Sequence, residues 1–101
     1  MFQADIPFIK NDKFYDQVGI NGEKVTGYEL FFQIIEEFKN KFNLSIHVFG
    51  EVDKAIQISF KGDYLISLKD QGNKRYIELY FNNDSIEDFT EKYNYLKEMI
   101  S

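Results

Sequence analysis

The feature that most constrains this chain is a change of rhythm near residue 44. Up to Phe42 the apolar residues of the preceding segment recur every three or four positions, and from Leu44 to Phe81 they recur every second one. Four alternating runs result: Leu44/Ile46/Val48, Ile56/Ile58/Phe60, Tyr64/Ile66/Leu68 and Ile77/Leu79/Phe81. A period of two sends successive side chains to opposite faces, so each run predicts a strand with one apolar side. Residues paired across antiparallel strands share a face, which lets the registers be tested against each other. A Gly72-Asn73 turn pairs Leu68 with Ile77, Ile66 with Leu79 and Tyr64 with Phe81, all on one side. A three-residue loop, Lys61-Gly62-Asp63, pairs Phe60 with Tyr64, Ile58 with Ile66 and Ile56 with Leu68. The same logic at the first hairpin sets Val48 opposite Ile56 and Leu44 opposite Phe60. A four-stranded antiparallel meander is expected.

The segments on either side supply helices. Thr26-Gly27-Tyr28-Glu29 has the spacing of a capping box, with Thr26 as N-cap and Glu29 reaching back to its amide. Leu30, Phe31, Ile34, Ile35, Phe38 and Phe42 then form one stripe of an amphipathic helix that ends near Asn43. At the other end, Asn83, Asp84 and Ser85 are candidate N-caps, and Asp84/Glu87 has capping-box spacing. Ile86, Phe89, Tyr93, Leu96 and Ile100 carry a second helix to the C-terminus. Ahead of the first helix, an Asn21-Gly22 pair predicts a tight hairpin with Val18 opposite Val25. Phe2 to Lys10, interrupted by Pro7, reads as an edge strand or an extended arm. The expected fold class is α+β over residues 1–101: N-terminal β-hairpin, helix, four-stranded meander and C-terminal helix, with both helices on one sheet face.

Composition narrows the function by exclusion. The chain has 101 residues, enough for one domain with one core. Cysteine is absent, which removes disulfides, zinc-thiolate sites and thiol nucleophiles. The only histidine, His47, falls in a strand pattern without the partners of a nucleophilic triad. No glycine-rich phosphate loop is present. His47, Glu51 and Asp53 are too sparse in oxygens for a hard-cation loop, so no metal and no other cofactor is expected. The first residues lack the basic and apolar stretches of a signal peptide, and no run is long and apolar enough to span a bilayer; a cytoplasmic protein is expected. A bias toward Ile, Lys, Asn, Phe and Tyr fits AT-rich coding, as in many phages and bacteria.

What remains is surface. The sheet side away from the helices would carry His47, Phe49, Leu65, Tyr76, Glu78 and Tyr80, a mixed face with aromatic rings. The N-terminal hairpin is the candidate cover for part of it. Acidic stripes are expected at Glu29/Glu36/Glu37 on the first helix and at Asp84/Glu87/Asp88/Glu91 on the second. With a net charge of -5 and a single arginine, direct nucleic-acid binding is not expected. The expected function is a small acidic, non-enzymatic protein-binding module that inhibits or neutralises a larger basic partner, such as a nuclease or DNA-binding enzyme. Immunity proteins, antitoxins and phage anti-defence proteins work in this way. The binding residues would be His47, Phe49, Leu65, Tyr76, Glu78, Tyr80, Glu36, Glu37, Asp84 and Asp88. The alternative is an assembly subunit that forms a homodimer through the open sheet face or an edge strand.

Overall fold

In the computed structural model, which describes residues 1–10, 13–52, 55–71 and 74–100, nine elements follow in order. They are β1 (Phe2–Lys10), β2 (Gln17–Val18), β3 (Lys24–Val25), α1 (Gly27–Lys41), β4 (Ile46–Val52), β5 (Ala55–Phe60), β6 (Tyr64–Gln71), β7 (Lys74–Phe81) and α2 (Ile86–Ile100). Strands β4 to β7 form the expected meander. The N-terminal segment adds to it as an edge strand, giving a five-stranded antiparallel sheet of order β1-β7-β6-β5-β4. Pro7 therefore sits on an outer strand, where its missing N–H leaves no inner ladder bond broken.

The register of the last three strands follows the sequence pattern. Phe60 pairs with Tyr64, Ile58 with Ile66 and Ile56 with Leu68; then Tyr64 pairs with Phe81, Ile66 with Leu79 and Leu68 with Ile77. The loop at 61–63 works because Gly62 and Asp63 both take left-handed backbone angles, φ +98° and +66°. The turn at Gly72-Asn73 lies outside the described residues. The expected registers of two other hairpins are corrected. A bulge between Ile46 and Val48 slips β4 by one residue, so Ile46 faces Phe60, Val48 faces Ser59 and Phe49 faces Ile58. Val48 is thus not opposite Ile56, nor is Leu44 opposite Phe60. In the small β2–β3 hairpin, Gln17 pairs with Val25 and Val18 with Lys24. The cause is a longer turn: Asn21 keeps a negative φ, Gly22 alone takes φ +85°, and the Gly22 N–H donates to the Gly19 carbonyl at 3.0 Å.

Both helices lie on one face of the sheet, and their caps explain where they begin and end. Thr26 Oγ1 accepts from the Glu29 N–H at 3.2 Å while Glu29 Oε1 accepts from the Thr26 N–H at 2.9 Å, the expected capping box. At the far end Asn43 turns left-handed, and the Leu44 N–H returns to the Lys39 carbonyl at 2.9 Å. Ser85 caps α2 by accepting from the Asp88 N–H at 3.1 Å. Between the layers, Phe31, Ile34, Ile35, Phe38 and Leu96 close over Ile58, Phe60, Ile66, Ile77, Leu79 and Phe81. Phe38 is the hub, with ring centroids 5.9 Å from Phe60 and 6.2 Å from Phe81.

The segment before α1 also belongs to this layer and does not cover the opposite face. Phe14 is fully buried in the same core, edge-on to Tyr28 at 4.7 Å and beneath the Arg75 guanidinium at 3.9 Å. The only arginine of the chain is therefore stacked on Phe14 and paired with Asp70 at 3.2 Å. It contributes no surface basic patch. Gly27 lets this plug approach, since a Cβ there would lie 2.4 Å from the Phe14 ring. Alanine at a helix start normally costs nothing relative to glycine. Here Gly27→Ala is expected to destabilise the fold by about 1–3 kcal/mol, as overpacking does, read as a lower urea midpoint with unchanged slope. Unchanged or increased stability would show that the Phe14 plug is not rigid.

Candidate binding surfaces

Four of the expected binding residues meet on the outer sheet face. Leu65 lies opposite Tyr80, and Tyr76 and Glu78 continue the same row toward Lys69 and Ser67. This face is less free than its residue types suggest. Glu78 is buried, ion-paired with Lys69 at 3.0 Å and within 3.5 Å of Gln3 Nε2, which donates to it from β1. The hydrogen bond to Glu78 is the main reason the Lys69 ammonium titrates above its ordinary range. Leu65, Tyr76 and Tyr80 are half-buried.

Phe49 is not part of that face. The bulge turns it toward the helices, where its ring stands 5.6 Å from that of Phe32 on α1. His47 is the extra residue of the bulge and is exposed, and Gly50 rather than His47 stands opposite Gln57. Among the described residues no three His, Asp or Glu side chains gather as metal ligands would. Asp53 lies outside them.

The acidic residues divide into two groups. Asp84 is not on a surface stripe: its side chain is 3 % exposed, bound by Lys92 Nζ at 3.0 Å and by the Tyr64 hydroxyl, which donates at 2.7 Å. Of the three candidate N-caps, Ser85 takes the role, and this frees Asp84 to turn inward. Lys92 lies over the rings of Phe42 and Tyr64, at 5.3 and 5.0 Å from their centroids. Glu36 is exposed but paired with Lys39 at 3.1 Å. Glu37 is exposed and near α2; its charge, after burial, helps push the Tyr95 hydroxyl up. Asp88 is exposed on α2 beside Glu87 and Glu91, and none of these three enters an ion pair among the described residues. Glu87 and Glu91 flank a shallow depression that Ile86, Thr90 and Asn94 complete, with Ile86 itself 55 % exposed.

The free edge of the sheet forms a third surface. Along β4, Ile46, Val48 and Phe49 are exposed, and Phe32 of α1, whose ring meets that of Phe49, extends the apolar area beside them. Sequence reasoning placed neither Phe32 nor Val48 here, because the slip at His47 was not visible in the pattern. Lys92 could have been found: it sits three residues after Phe89 and four before Leu96, inside the apolar stripe of α2.

Comparison with family models, curated proteins and solved structures finds no match to this chain, so function rests on geometry and chemistry alone. No helix among the described residues is long and apolar enough to cross a membrane.

Two outcomes test the buried cluster. Asp84→Ala should cost about 3–5 kcal/mol in chemical denaturation, because it leaves the Lys92 ammonium buried without its partner. Adding Lys92→Met should restore most of that loss, and no recovery would refute the pairing. Burial first, then the hydrogen bond to Asp84 and the charges of Asp84 and Asp88, push the Tyr64 hydroxyl up to about 12. A tyrosine whose folded pKa lies above its unfolded value of ~10 stabilises fully below that pH and progressively less up to the folded pKa. Unfolding free energy should therefore fall between pH 10 and 12, and fall less in Tyr64→Phe.

Proposed function

We propose that the chain is a small acidic protein-binding module without chemistry of its own, which inhibits or neutralises a larger basic protein. The observation that carries this reading is the outer face of α2. Exposed Ile86 there forms an apolar centre, and Glu87, Asp88 and Glu91 form a charged border with no ion partners among the described residues. An apolar core with a charged rim is how transient protein interfaces are built, and the rim governs encounter with a partner of opposite sign. Asp70, Glu78 and Asp84 have been neutralised inside the fold, so much of the net charge of -5 is displayed elsewhere. The polar clusters in the interior support a non-catalytic role. Asp84/Lys92/Tyr64 and Asp70/Arg75 are ion-paired within the fold beside aromatic rings, and His47 stands apart from both.

The test is retrieval of a basic protein in stoichiometric amount by the tagged chain from its host lysate at low salt. Glu87→Lys combined with Glu91→Lys should slow association with that protein by roughly tenfold or more and reduce its salt dependence. A chain that retains no partner, or a partner indifferent to the double reversal, would refute the assignment of this face.

A further inference from the structure

We propose that β4 is a dimerisation edge: it pairs antiparallel with β4 of a second copy about a two-fold axis at Phe49, which sets His47 of one copy opposite Glu51 of the other. The two outer strands of the sheet are treated differently. β1 carries Pro7 and a register shift before Lys10, both devices that discourage a further strand from adding. The segment Ile46–Val52 holds no proline and no lysine, and its guards are the bulge at His47 and the one charge of Glu51, which the register below pairs with a residue of the second copy. Beyond the bulge its outward backbone groups have no strand beside them. Apolar side chains flank that free edge on both faces: Phe49 (58 % exposed) with Phe32 on the helix side, and Val48 (53 % exposed) on the other.

Gly50 identifies what comes next to this edge. It lies in mid-strand without a positive φ, and a Cβ built on it would meet nothing within 4 Å. Neither its backbone conformation nor the packing within one copy calls for a glycine. A glycine inside a strand often marks a bulge or a place where another backbone comes close, and Gly50 stands in the regular pairing beyond the bulge at His47. In the register centred on Phe49, the exposed Val48 of the second copy falls opposite Gly50, on the same face of the sheet.

Face matching restricts the choice of register. A two-fold axis through the sheet pairs outer-face residues with outer-face residues, so registers differ in steps of two. Centring on Phe49 pairs Val48 with Gly50 and His47 with Glu51, bringing an imidazole, whose ring N–H can donate, to a carboxylate at both ends. Centring on Val48 or on Gly50 instead sets His47 or Glu51 against Phe49. Because the axis keeps both helix layers on one side, Phe32 and Phe49 from each copy gather beside it.

The acidic face of α2 is left clear. α2 packs on the far side of the layer, where Phe89 stacks on Phe2 of β1 at 5.0 Å. The dimer thus presents two copies of the face proposed to hold a basic partner, and its existence does not depend on that partner.

The absence of cysteine makes the register directly readable. Oxidation of an equimolar mixture of His47→Cys and Glu51→Cys chains should yield a disulfide-linked pair in high proportion. Each variant oxidised alone should remain largely unlinked, because its two cysteines would lie ~13 Å apart along the strands. Sedimentation equilibrium of the unaltered chain at submillimolar concentration should give twice the 12.0 kDa chain mass. Val48→Lys should give the single-chain mass, with circular dichroism unchanged and retention of a basic partner by the α2 face intact. A monomeric unaltered chain overturns the proposal. So does a dimer that survives Val48→Lys, or one that crosslinks through Tyr80→Cys while the 47/51 mixture stays unlinked. Loss of partner capture with the dimer intact would count only against the α2 reading.

Discussion

Sliding β5, β6 or β7 by one residue would turn its apolar side to water and its polar side into the core. That parity is shared along each row, Ala4–Leu79–Ile66–Ile58–Phe49 and Ile6–Ile77–Leu68–Ile56–Glu51, and it commits one face to the helices. α1 and α2 add little that is independent of it. Phe38 and Leu96 find their places because Phe60, Phe81 and Leu79 are already aligned on that side. The Phe14 plug obeys the same parity, since Arg75 reaches it only by sharing a face with Ile77.

Where one pattern was enough to choose a structure, the sequence was easy to read. β5, β6 and β7 alternate without ambiguity, and the loop at 61–63 agrees with the register that keeps Ile58 beside Ile66. The capping box of α1 was equally direct, because each of its two hydrogen bonds demands a particular side chain. β4 was harder. Val48 and Phe49 are both apolar, so alternation cannot tell which one faces inward, and a bulge can be inserted with no change of composition. Val18 was misplaced for a related reason: Asn-Gly fits a two-residue turn, yet Gly22 alone supplies the left-handed residue of a longer one.

The candidate surfaces were less legible than the fold because a charged residue reads the same whether it is displayed or internalised. Asp84 and Asp88 are alike in sequence context, four residues apart at the start of one helix. Asp84 nevertheless accepts from Lys92 and Tyr64 in the interior while Asp88 is exposed. The decision is made by Ser85, which caps α2 and turns Asp84 back over the end of the sheet. Glu78 is internalised by a different route. It lies on the open face, and Gln3 and Lys69 from both neighbouring strands close around it. An open-face aromatic surface centred on Glu78 therefore has less to offer a partner than its composition implies.

The two edges of the sheet complete the argument. A small antiparallel sheet must either guard its outer strands or use them. β1 is guarded by Pro7 and covered on one side by α2 through the Phe2–Phe89 stack. β4 has an exposed valine, an exposed phenylalanine and a glycine that its own chain does not need. The stripe of α1 opens at the same place, where Phe32 leans out toward Phe49 instead of joining the core. The β4 edge and the exposed Glu87, Asp88 and Glu91 of α2 lie on different sides of the layer, since α2 packs against β1 at the other edge of the sheet. In the arrangement proposed, one copy is held by its twin through β4, and α2 is left clear to meet a partner of a different kind.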